Sequence, residues 1–92
     1  MEMRPEDAES HYYLGEAYLR VKKGSRAVVH FNEAIRLDPM RMANAHLRLV
    51  ALFVAAGLKN QAAAEYEQFL VKRPDSPEKE KLQNYIRKNK KL

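Results

Sequence analysis

Shifted by 35 places, the chain falls onto itself. His11 lands on His46, Leu14 on Leu49 and Tyr18 on Phe53, and the same shift carries Ala27 onto Ala62, Phe31 onto Tyr66 and Pro39 onto Pro74. One offset matches aromatics, small residues and prolines together, which is the mark of a tandem structural repeat. A repeat unit of this size cannot bury its apolar face alone and has to stack on a neighbour. The 92 residues hold two such units and a short remainder, within the size of one compact domain.

Each unit reads as two helices. Tyr12, Leu14, Tyr18 and Leu19 recur at helical spacing before Gly24–Ser25 breaks the pattern. Ser25 is the expected N-cap of a second helix whose inner face is Ala27, Phe31, Ala34 and Ile35. Asp38–Pro39 closes that helix, because proline disfavours helical geometry at the residue before it. The second unit repeats the scheme, with helices expected over about 41–56, stopping at Gly57, and about 60–72, stopping before Pro74. A fifth helix follows: Ser76 as N-cap, Pro77 at its first position, Glu78 and Glu80 at the positive end of its dipole. Its apolar stripe is only Leu82, Tyr85 and Ile86, as expected of a helix that covers a repeat on one side and meets water on the other.

The pattern resembles the tetratricopeptide repeat, whose signature is W-x2-L-G-x2-Y, then A-x3-F, then P. His11-x2-Leu14-Gly15-x2-Tyr18, Ala27-x3-Phe31 and Pro39 follow it except at the tryptophan. The second copy is looser: His46-x2-Leu49-Val50-x2-Phe53, Ala62-x3-Tyr66 and Pro74. The resemblance implies an all-α solenoid of two antiparallel helical hairpins, repeat one over about 8–41 and repeat two over about 42–76, then a capping helix over about 77–88 and a basic tail, 89–92. Small residues at Gly15 and Ala27 let the paired helices approach, while Phe69 and Val50, at the sites of Ala34 and Gly15, call for rearranged packing next to the cap. Pro5 lies 34 residues before Pro39, where an earlier repeat would have ended, and two repeats fall short of the roughly three a stack needs. A longer parent array, or self-association through an open edge, is therefore a second reading.

The resemblance also implies a function, the binding of another polypeptide on the face formed by the first helices. With His11, Leu14 and Tyr18 inward, that face carries Tyr12, Glu16, Leu19 and Arg20, and on the second hairpin Asn44, Leu47, Arg48, Ala51, Val54 and Ala55. Its chemistry suits an amphipathic helix or an extended peptide with an acidic residue. One subset of the family clamps the carboxylate of chaperone tails with lysine and asparagine. The corresponding positions here hold Tyr12, Glu16 and Arg48, so that ligand is not expected.

Composition removes other classes. There is no cysteine for a disulfide, a thiolate metal site or a nucleophile. His11, His30 and His46 lack paired ligand spacing, no carboxylate pair is set up for acid–base work, and no glycine loop could cradle phosphate, so neither metal, cofactor nor catalysis is expected. The most apolar run, 47–58, is interrupted by Arg48 and too short to cross a bilayer. No signal peptide is visible, which favours a cytoplasmic setting. Residues 1–71 carry nine Lys/Arg and nine Asp/Glu, and residues 72–92 carry eight against three, so the whole formal charge of +5 sits at the C-terminal end. Arg87, Lys88, Lys90 and Lys91 there offer only weak, salt-sensitive contact with nucleic acid or an anionic surface, the alternative to polypeptide binding.

Overall fold

The structure, a computed structural model, describes residues 7–90. Pro5 and the residues before it, and Lys91 of the basic tail, lie outside the described residues. Five α-helices and no strand are present among the described residues: α1 (Ala8–Arg20), α2 (Gly24–Leu37), α3 (Asn44–Ala55), α4 (Lys59–Lys72) and α5 (Lys79–Asn89). The chain is an all-α helical-repeat protein. It divides into two compact units, 1–45 and 46–92, with the division inside α3.

In the first unit α1 begins at Asp7, whose carboxylate accepts the Glu9 amide at 3.0 Å and the Ser10 hydroxyl at 3.3 Å. Such a cap is worth about 1 kcal/mol. The close approach of α1 and α2 centres on Gly15 and Phe31. A Cβ on Gly15 would lie 2.7 Å from the Phe31 ring, and Phe31, Ala27 and Ala34 are completely buried. The Tyr12 ring meets Phe31 edge-on at 5.5 Å. Burying a phenylalanine of this kind contributes roughly 1.5–3 kcal/mol.

Ser25 does not cap α2. The helix already starts at Gly24, the carbonyl of Lys23 takes the Ala27 amide, and no side chain caps the end. The reason lies in the turn before it. Lys22 has φ of 60°, and the Lys23 amide reaches back to the Tyr18 carbonyl at 2.9 Å. The second hairpin repeats this geometry 35 residues on: Gly57 has φ of 77° and the Leu58 amide reaches the Phe53 carbonyl at 2.8 Å. The two turns are one motif, a left-handed residue closing the helix and satisfying its free carbonyls. Gly24 is outside that position and opens the next helix.

The helix that the division crosses, α3, starts at Asn44, three residues later than the sequence pattern places it, because residues 39–43 form successive turns. Along α3, His46, Leu49 and Val50 are buried, as are Ala62, Ala63 and Phe69 on α4. Ser76 and Pro77 do not take the N-cap and first position of α5: the helix starts at Lys79 after Glu78 with no side-chain cap. Ser76 is used instead in a short turn ahead of it, its hydroxyl accepting the Glu78 amide at 3.4 Å and its carbonyl the Lys79 amide at 3.1 Å. Leu82 is buried, and the Tyr85 ring meets Tyr66 of α4 edge-on at 5.2 Å. The helix runs through Asn89, one residue beyond the expected cap, and Lys90 is ion-paired to Glu67 rather than free in a tail.

Candidate interaction surfaces

On the first unit the expected face is partly assembled. Tyr12 and Asn44 line one cavity of about 250 Å³ together with Glu9, Tyr13, Arg41 and Met42. Tyr12 is half-buried, held between the edge of Phe31 and the Tyr13 ring, whose centroid is 6.3 Å away. Tyr13 itself is 61% exposed. Arg41 forms an ion pair with Glu9 at the cavity rim. The aromatic floor is thus fixed by the core beneath it, while the rim offers a cation, a carboxylate and an amide. Glu16 and Leu19 are half-buried, and Arg20 is exposed in the last turn, where a cation favours the helix dipole.

On the second unit the expected positions form one open stripe of α3. Leu47, Arg48, Ala51, Val54 and Ala55 are all exposed, while His46, Leu49 and Val50 of the same helix are buried. The spacing of Leu47, Ala51 and Val54 puts them on one side of the helix. Apolar residues at helical spacing more often pack inside a domain; these three do not.

The signature histidines are occupied by structure. His46 is 5% exposed. Lys72 Nζ, which can only donate, gives a hydrogen bond to its Nε2 at 2.7 Å, so its Nδ1 carries the proton and donates to Glu65 Oε1, also at 2.7 Å. Both ring nitrogens are used, which leaves no lone pair for a general base. Burial holds the Lys72 ammonium below its ordinary 10.5, against an upward pull from Glu65. In the first unit His11 Nδ1 lies 3.0 Å from His30 Nδ1 and the rings stack. The Tyr18 ring also stacks with His30, at 5.4 Å, and the Arg26 guanidinium sits 5.8 Å over Tyr18. Burial, then the neighbouring His11, hold His30 below its ordinary 6.5 in spite of Glu33.

These polar partners escaped the sequence reading, although a signal for them exists. His30 and Glu65 are related by the same shift of 35 that relates His11 and His46. The partner of each signature histidine therefore occupies one repeat position on the second helix of its hairpin. No group of three or more metal-ligating side chains occurs among the described residues. No helix among them is long and apolar enough to cross a membrane.

Residues 8–41 match the family profile described as Tetratricopeptide repeat. No curated protein and no solved structure is similar enough to the chain to count as a match. The matched segment contains the first hairpin, with Gly15 against Phe31 and Pro39 beyond its end, and the second hairpin repeats its turn and its histidine clamp. Residues 8–41 are thus a tetratricopeptide repeat, the repeat of protein–protein interaction modules in general.

Proposed function

We propose that the chain is an adaptor that binds a helix or an extended peptide on the first helices of its hairpins, through the Tyr12 cavity on the first unit and the α3 stripe on the second. The observation that carries this reading is the exposure of Leu47, Ala51 and Val54 along one side of α3. Grouped apolar residues in water are a cost that a partner removes, whereas scattered ones carry no such meaning. Tyr12 and Tyr13 supply flat, stiff contact surface, and Arg20 and Arg48 suit a carboxylate on the ligand. Catalysis is not part of this reading, since the buried polar side chains described above are engaged in holding the hairpins.

The experiment is capture of polypeptide from the native lysate by the tagged full chain, at low and high salt, against Leu47→Asp/Val54→Asp. Both positions are exposed, so the variant keeps its fold, which a far-ultraviolet circular dichroism melt checks. A polypeptide held by the wild type at high salt and lost by the variant supports the reading. Equal capture by both refutes it.

The basic-end alternative has less behind it. Lys90 is paired with Glu67, which reduces the cations available to phosphate. Self-association through an open repeat edge is read from the same sample as a mass that rises with concentration. Within the proposed reading, repeats over 8–41 and 42–76 are closed by α5.

A further inference from the structure

A second apolar groove, lined by none of the residues of these faces, lies between α4 and α5. Its floor is Leu70, Val71, Pro74 and Ile86, with Lys79 and Arg87 on its rim, and its volume is about 570 Å³. Val71 is 74% exposed, the most open of the large apolar side chains among the described residues. Charge says what covers it. From 79 to 90, α5 and its cap carry five Lys/Arg and one Glu, and residues 72–92 hold the entire +5 of the chain. Glu67, the one carboxylate on the rim, is already neutralised by Lys90.

We infer that this groove is a docking site for an amphipathic helix of a partner protein, with an apolar stripe flanked by Glu or Asp. Its apolar side chains cover Val71 and Ile86, and its carboxylates face Lys79 and Arg87. A second copy of this chain is a poor occupant by way of its own open stripe, since α3 carries Arg48 and no carboxylate. The site is distinct from the α1 and α3 faces, so the chain can hold two polypeptides or two segments of one.

The test uses the full chain, isotopically labelled, and two synthetic amphipathic helices with the same leucine stripe, one flanked by Glu and one by Lys. Binding is read by fluorescence anisotropy and by amide shift mapping. The Glu peptide binds at least about tenfold more tightly than the Lys peptide, with shifts centred on 70–74 and 83–87. Val71→Glu weakens the Glu peptide by at least about tenfold, and Lys79→Glu/Arg87→Glu reverses the preference between the peptides. Circular dichroism confirms that these surface variants fold. Equal affinity for the two peptides, or affinity unchanged by Val71→Glu, overturns the proposal. Shifts centred on Tyr12, Leu47 and Ala51 also overturn it, while supporting the first-helix reading. A wild-type dimer that Val71→Glu dissociates gives the groove to a second copy and overturns it as well.

Discussion

Gly15→Ala adds one methyl group to the fold, and the structure fixes its consequence. The new Cβ would lie 2.7, 2.8 and 2.9 Å from three atoms of the Phe31 ring, well inside contact distance. Two terms compete. Replacing glycine by alanine inside a helix normally gains about 0.5–1 kcal/mol, because glycine gives up more backbone freedom on folding. Forcing a methyl into a packed interior costs about 1–3 kcal/mol. The second term wins here because the obstructing ring has nowhere to go: Phe31 is fully buried and Tyr12 sits against it at 5.5 Å. The net loss is about 1–2 kcal/mol, which lowers the melting temperature of a domain this size by roughly 4–16 °C.

Urea titration followed by far-ultraviolet circular dichroism measures it, and an unchanged slope shows that the loss belongs to the native state. Combining Gly15→Ala with Phe31→Leu supplies a second reading. The smaller side chain relieves the clash, so the double variant is more stable than the sum of the single losses by about 1 kcal/mol. A Gly15→Ala protein as stable as the wild type would refute the reasoning, since helix propensity would then have prevailed and the ring would not be where the close approach requires.

Three further outcomes rest on other parts of the fold. Lys22→Gly removes a left-handed side-chain conformation with φ of 60° and raises stability by about 0.5–1 kcal/mol in the same titration; a loss there would mean that the turn tolerates lysine without strain. Glu65→Ala leaves the buried His46 Nδ1 donor without an acceptor and lowers stability by about 1–3 kcal/mol, and an unchanged urea midpoint would sink the clamp. Because His30 has its pKa depressed in the folded state, the unfolded chain binds more protons below the ordinary value near 6.5. Stability is therefore full above that pH and falls as the pH drops through 6.5 towards the depressed folded value; His30→Asn flattens this part of the pH profile, and an identical slope in the variant would remove His30 as its source.

Much of the fold could be read from the residues because its devices are local. Apolar spacing announced five helices, Pro39 and Pro74 marked the ends of hairpins, and Gly15 with Ala27 announced a close helix pair. The errors came where a backbone position, rather than a residue type, decides. Ser25 looks like a cap, but Lys22 takes the left-handed turn position and lets α2 begin two residues earlier. Asp7, two residues before the Glu9 amide it accepts, was the cap that went unread. The surfaces were harder still. Spacing alone cannot say whether Leu47, Ala51 and Val54 face a neighbouring helix or water, and it gives no hint that Lys72 reaches His46 from the far end of α4.

The two repeats differ most where their signature positions exchange size. At the site of Gly15 the second repeat has Val50, which is buried, and at the site of Phe31 it has Tyr66, which is only half-buried. A glycine leaves a notch that a phenylalanine ring fills; a valine fills its own space and leaves no notch. The second aromatic then needs another neighbour, and it has one in Tyr85 of α5 at 5.2 Å. Burial also holds the Tyr66 hydroxyl above its ordinary value. This gives α5 a reason to exist that is independent of any ligand: the second repeat lacks the glycine notch that seats the aromatic of the first, and a closing helix supplies the neighbour its own aromatic needs. A helix recruited for that purpose needs only one apolar side. The other side of α5 is then available for charge, which is where the chain has placed its basic residues.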